Sequence, residues 1–203
     1  MLVLNESEIR GVVDAGTARG AIADAFLALH RGEATLPNVI SVPFRDPDGV
    51  AHIKAGHLHD DAVWTVKVSG DFDPGDGSPI LHSGVMLVLS SVDGSLVAVL
   101  GDNGYLTELR TGAAGAVAAD LLARRDASSV AIVGAGSQAR FQLEALREVR
   151  RVENVDTARL AREHQPQRTA GVAAREDGAA RAQVAVLGVE LRLVVRRERV
   201  GEP

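Results

Sequence analysis

The chain contains no cysteine, which excludes disulfides and thiolate metal centres. Lysine is almost missing: Lys54 and Lys67 are the only two, and every other Lys/Arg position is arginine. No run approaches 18 uninterrupted apolar residues, so no membrane-spanning helix is expected. The start, Met1 to Glu6, lacks the basic segment and long apolar stretch of a secretory leader. Positive charge is not in excess. With 22 Lys and Arg against 27 Asp and Glu, the formal net charge is -5, which argues against a nucleic-acid surface. These absences lead to the expectation of a cytoplasmic protein with neither a nucleic-acid nor a membrane partner. What remains is ordinary globular material. Hydrophobic residues make up 46% and charged residues 24% of 203 positions, enough to bury a core in one large or two small domains.

The most informative stretch runs from Ser129 to Leu146. Val130 to Val133 is a short apolar, β-branched run that reads as a buried strand. Gly134 and Gly136 follow, two apart, and Phe141, Leu143, Ala145 and Leu146 then recur at helical spacing. A strand, a glycine turn and a helix open a dinucleotide-binding unit. Gly134 permits a tight turn, Gly136 lets a pyrophosphate approach the backbone, and the next helix presents its N-terminal amides and positive dipole end. Ala139 replaces the third glycine of the G-x-G-x-x-G pattern, a change the fingerprint tolerates. The plain alternative is a β-α turn that needs glycine for geometry alone.

Upstream, Asn5 and Glu8 read as a capping box opening a helix over Ser7 to Val13. Gly16-Thr17 is expected to break it, and a second helix carries Ala18, Ala21, Ile22, Ala25, Phe26 and Leu29 on one face, with Gly32 as its stop. Residues 33–49, with three prolines, read as a loop holding an extended piece at Val39 to Val42. The period then changes to two. Val50 to Lys54 and Val63 to Ser69 are expected strands, with Trp64, Val66 and Val68 on the apolar face of the second. Thr65, Lys67 and Ser69 fall on its polar face, where a lysine is either solvated or lines a pocket. Residues 70–83 read as a loop, Val85 to Leu89 as a strand, Asp93-Gly94 as a hairpin turn and Leu96 to Leu100 as the returning strand. Asp102-Asn103-Gly104 is a further turn. From Thr107 a helix begins whose middle, Gly112 to Ala116, is unusually small. Glycine inside a helix costs up to ~1 kcal/mol, so these residues point to close approach by another backbone or a ligand. The domain boundary is expected at 124–127.

Leu106 to Thr111 ahead of a small-residue helix, together with Val133 to Ala139, His52 to Gly56, Val66 to Val68 and Asp102 to Tyr105, resembles the ornithine cyclodeaminase/mu-crystallin family. The resemblance covers about residues 1–162. It implies an α/β chain: an N-terminal α+β substrate and dimerisation domain over 1–126, then an incomplete Rossmann NAD(P)-binding domain over 127–203. It also implies a homodimer that uses NAD or NADP on a small amino-acid or imino-acid substrate. By position, Lys67 and Arg110 are the catalytic-site cations holding the substrate carboxylate near the reacting carbon. Such a carboxylate suits a bidentate guanidinium and a second cation. Lys54 lines the same pocket, and Arg45 is nearest to the family's earlier substrate-binding arginine. His82 precedes a strand that starts near the nicotinamide, and is either a pocket or a loop residue. Thr111, Gly134, Gly136, Ser137 and Gln138 match dinucleotide-phosphate positions. Arg162, after an expected strand at Val155 to Leu160, matches a residue for a ribose 2′-phosphate, while Asp156 lies near the spacing of a ribose-binding acid; preference between NAD and NADP stays open.

Beyond Arg162 the resemblance ends. The family's downstream catalytic Asp is not found there, and truncation, a shifted reading frame or a shortened domain are the expected explanations. Three functions follow from the resemblance: NAD-dependent cyclisation of ornithine to proline with loss of ammonia; ketimine reduction or alanine dehydrogenation; or an inactive fragment. His52, His57 and His59 with Asp60 and Asp61 match no defined metal motif and read as a polar loop; no metal is expected. Arg192, Arg196, Arg197 and Arg199 form a basic tail, read as solvated.

Overall fold

The capping box is formed as read. Asn5 ends strand β1 (Leu2–Asn5) and caps helix α1 (Glu6–Val12), accepting from the Glu8 amide while the Glu8 carboxylate accepts from its own. The structure, a computed structural model, describes residues 1–78 and 80–158. Helix α2 (Ala15–His30) differs from expectation at its start. Gly16-Thr17 does not interrupt it, because Asp14 caps it by accepting from the Thr17 amide at 2.8 Å. A good N-cap outweighs one glycine in the first turn.

The proline-rich stretch is also more regular than its composition suggests. It holds β2 (Ala34–Thr35) and β3 (Ile40–Arg45), and β3 turns at Asp46-Pro47 into the long strand β4 (Asp48–Leu58). Pro43 lies within β3, which pairs only with β4, so its missing N–H disturbs no second ladder. Strands β5 (Val63–Phe72) and β6 (Leu81–Ser90) extend into the expected 70–83 loop at both ends. The Asp93-Gly94 turn delivers β7 (Leu96–Gly101). The seven strands form one sheet in the order β1-β7-β6-β5-β4-β2, with β3 also on β4. Only β1 runs parallel to its neighbour, β7.

Helix α3 (Tyr105–Leu122) starts two residues before the expected Thr107. It packs with α1 and α2 against one face of the sheet, around Leu4, Ile9, Ile22, Met86, Val88, Leu100, Leu106 and Leu109. Each such side chain is worth roughly 1.5–3 kcal/mol when fully buried. Strand β8 (Ser129–Val133), helix α4 (Ser137–Arg147) and strand β9 (Asn154–Ala158) follow, with β8 and β9 parallel. The chain is therefore α/β, as expected, and β9 begins one residue before its expected start. Arg162 and the basic tail lie outside the described residues.

The small patch in α3 is where α4 lies. A Cβ on Gly112 would stand 2.6 Å from the Phe141 carbonyl oxygen. Phe141 itself enters the main core, 6.1 Å from the Tyr105 ring centre. The close approach is thus by backbone. At the far end of α3, Arg150 is buried and donates to Asp120 Oδ1 at 2.8 Å and to the carbonyls of Ala119, Asp120 and Ala123. It closes the C-terminal carbonyls that a helix leaves unpaired.

Candidate functional site

Strand β5 does not present its faces as its pattern suggests. Thr65 and Lys67 lie on the helix-covered face and are buried, Lys67 to 4% exposure, whereas apolar Val68 is 37% exposed on the open side. The face with Met86, Val88, Ala98 and Leu100 is the one the helices cover, and β5 shares its register: Lys67 faces Met86, and Met86 faces Leu100. Hydrophobic alternation in one strand cannot say which face its neighbours bury.

Lys67 is opposite Lys54 in the β4–β5 ladder, a spacing of about 5 Å between Cβ atoms. Its ammonium donates to Thr107 Oγ1 in the first turn of α3, and Arg110 follows one turn later on the same helix. The three cations feel one another. Lys54 is held below the ordinary lysine range first by burial, then by repulsion from Lys67 and Arg110, with Asp71 acting the other way. Three positive charges gathered at a half-buried spot make a place where a further anion is favoured. Asp71 faces His82 in register, and the two pair at 2.7 Å, which leaves His82 four residues along the ladder from the Lys54–Lys67 row, roughly 13 Å away, and not within the cluster. Arg45 is not brought to the cluster. It faces Asp48 at the hairpin end of β3, roughly 20 Å along the ladder from Lys54.

The glycine turn lies at the other end of a short bridge. Gly134 has φ +110°, a backbone state that disfavours any side chain. Gly136 is the N-cap of α4, supplies no side-chain hydrogen bond, and a Cβ there would meet nothing within 4 Å. The first amides of α4 thus have no side-chain cap and a backbone that a ligand can approach at Gly136, which fits a dinucleotide diphosphate. The bridge is Glu108, two residues before Arg110. Its carboxylate accepts from Ser137 Oγ at 2.9 Å and from Gln138 Nε2. Thr111 Oγ1 turns back to the Thr107 carbonyl at 2.7 Å, and Gln142 donates to the Thr111 carbonyl at 3.0 Å. The sequence reading missed Glu108, whose only signal is an acid beside the Arg110-Thr111 pair.

The expected polar loop is not formed at His52 and His57, which lie within β4 because the strand runs on to Leu58, and the three histidines make separate contacts. His52 pairs with Ser41 at 3.0 Å, His57 donates to the Asp61 carbonyl at 3.1 Å, and His59 pairs with Thr35 at 2.9 Å. Among the described residues no three His, Cys, Asp or Glu gather as metal ligands. Among them, too, no helix is long and apolar enough to cross a membrane.

The sequence profile of the ornithine cyclodeaminase/mu-crystallin family matches residues 1–188. The chain belongs to this family. The match runs past Arg162, where the sequence reading ended the resemblance. A putative dehydrogenase of Rhizobium meliloti is 38% identical over 201 residues, 98% of this chain and 56% of the relative. Among solved family structures, Delta(1)-pyrroline-2-carboxylate reductase of Thermococcus litoralis, in complex with NADH and L-proline, shares 30% identity and superposes with a TM-score of 0.72. That match covers 80% of this chain and 50% of that one. An archaeal alanine dehydrogenase dimer with bound NAD gives 28% identity and a TM-score of 0.71, over 99% of this chain and 54% of that one. The chain thus spans about half the length of the relatives it matches.

Proposed function

We propose that this protein takes part in hydride transfer between a nicotinamide dinucleotide and the α-carbon of a small amino or imino acid. The observation that carries the reading is the convergence of Lys54, Lys67 and Arg110 beside the first turn of α3, which Glu108 ties to the uncapped amides of α4. A substrate carboxylate neutralises the cation cluster, with Arg110 as its bidentate partner and Lys67 as a point charge held by Thr107. The diphosphate rests on the α4 amides next to Gly136, and Thr111, Ser137 and Gln138 line that place. When bound, the dinucleotide supplies the hydride acceptor or donor. The chain's own contribution is to fix the carboxylate and with it the orientation of the α-carbon. Likeness to relatives crystallised with NADH or NAD supports the cofactor, and NAD and NADP both remain within the proposal. So does Arg162 as the residue for a 2′-phosphate.

Relatives named as cyclodeaminases support cyclisation of ornithine to proline, in which hydride is taken and returned. Likeness to the proline-bound pyrroline-2-carboxylate reductase supports the second form, net reduction of a cyclic imino acid. The experiment is a titration of the full chain with NADH and with L-proline, followed by assays with ornithine and with pyrroline-2-carboxylate. Cyclisation leaves NADH unchanged while ammonia appears, and reduction consumes NADH in step with product. Binding of neither NADH nor proline at millimolar concentration overturns the reading. Binding of both without turnover supports the inactive-fragment alternative.

The open face of the seven-stranded sheet is proposed as the homodimer surface. Ile40 is 58% and Leu81 62% exposed, and their registers place Val42, Phe44, Val68 and Phe72 on the same face. Exposed apolar area of this kind marks an interface. Sedimentation should give a dimer, and a monomer at micromolar concentration would overturn the assignment.

A further inference from the structure

Lys67 is a charge in surroundings that resist one. It is buried, it stands opposite Lys54, and Arg110 is close enough to press on Lys54 as well. Burial and the facing Lys54 charge both disfavour an ammonium at this position. One buried carboxylate lies nearby. Asp102 is 0% exposed, two residues beyond Leu100, and extending the β6–β7 register puts it opposite Gly84 on the same face as Lys67. Its Oδ2 accepts from the Leu106 amide at 2.9 Å, which fixes it to the start of α3. Its Oδ1 accepts no hydrogen bond and points over Gly84: a Cβ there would lie 3.9 Å from Oδ1 and 3.6 Å from the Cβ of Ser69. Gly84 faces Ser69, the next residue on that face after Lys67. Gly84 itself puts no side chain between this carboxylate and the β5 row.

We propose that Asp102 is the positioning residue of Lys67: its buried carboxylate, pinned by α3, is the counter-charge that keeps Lys67 cationic beside Lys54 and Arg110. The other charged groups named near Lys67 differ from Asp102 in sign or in partner. Lys54 on β4 and Arg110 on α3 are cations. Asp71, further along β5, is paired with His82 of β6, and Glu108 on α3 is turned to Ser137 and Gln138. The influence is mutual: burial raises the Asp102 carboxyl, and the Leu106 amide and the Lys67 charge draw it back down. The turn Asp102-Asn103-Gly104 is therefore a piece of the anion site as well as a connection. Its use in holding a substrate rests on the reading of Lys67 given above.

The near-absence of lysine makes the test direct. With 13C-lysine incorporated, the full chain gives only two Cε resonances to follow against pH, assigned with Lys54→Arg. No substrate or cofactor is added, so the result stands apart from any assay of function. In Asp102→Asn, which keeps an acceptor for Leu106 but loses the charge, the Lys67 midpoint should fall by about one pH unit or more, with a smaller fall for Lys54. Asp102→Glu should restore it. An unchanged Lys67 midpoint, or equal falls for both lysines, overturns the proposal. Should Asp102→Asn fail to fold, the wild-type chain decides. Its Lys67 resonance should carry a second inflection on the acid side, from the neighbouring carboxylate, that Lys54 lacks. A single-step titration of Lys67 overturns the proposal.

Discussion

The two ends of the Glu108 bridge are built in opposite ways. On the seven-stranded sheet the proposed anion site is made of side chains: Lys54, Lys67 and Arg110, brought from β4, β5 and α3. At the β8–α4 turn it is made of backbone, where Gly134 and Gly136 matter for what they lack. Side-chain recognition is local and can be removed one group at a time. Backbone recognition depends on conformation and is lost when the turn can no longer form. The two sites share α3, so they are mechanically joined but chemically separable.

The largest effect should come from breaking the joint. Gly112→Leu drives a side chain into the Phe141 carbonyl and should destabilise the protein by about 3 kcal/mol, read as a shift in the urea midpoint; an unchanged midpoint would show that α4 does not sit on α3 in solution. Next is the side-chain site alone. Arg110→Ala should weaken proline binding by about 30-fold, equivalent to about 2 kcal/mol, while NADH binding changes little. Equal losses in calorimetry would merge the two sites. Gly134→Ala imposes backbone strain of roughly 1–3 kcal/mol and should lower NADH affinity about tenfold with proline binding retained.

Glu108→Gln is the sharpest test of the bridge. It removes a negative charge beside the diphosphate and keeps a hydrogen-bond acceptor, so NADH affinity should rise about threefold; a fall would mean that the Glu108 charge itself organises the turn. The smallest effect is a pH dependence. Lys54 has a folded-state pKa below its ordinary 10.5, so between the two values the unfolded chain holds more protons and stability rises with pH. The full cost is present below the folded value. Thermal unfolding without ligand should show a gain toward pH 10, under about 1 kcal/mol given the screening of a half-exposed group, and Lys54→Met should flatten it.

Much of this was written locally. The Asn5–Glu8 capping box, the Asp93-Gly94 hairpin and the Val133-Gly134 turn depend on neighbours within a few residues, and each formed where the sequence put it. The small stretch at Gly112 also announced a close contact, though not with what. The errors came where one local signal met a stronger neighbour. Gly16 was absorbed by the Asp14 cap, and Pro43 was accommodated in a strand paired on one side only. Asp102 looked like any turn residue, because nothing near it in sequence states that it will be sealed under a helix.

The sequence by itself determined the order of the elements, the positive-φ turn at Gly134 and the small seam on α3, since these follow from backbone sterics and short-range hydrogen bonds. Only the tertiary structure decided which face of β5 the helices cover, and therefore that Lys67 is buried, that Lys54 stands opposite it and that Asp102 lies within its reach. A strand's alternation defines two faces but gives neither a direction. That choice is made by the summed burial of Met86, Val88, Ala98 and Leu100 on neighbouring strands against α1, α2 and α3, and a single buried lysine cannot outweigh it.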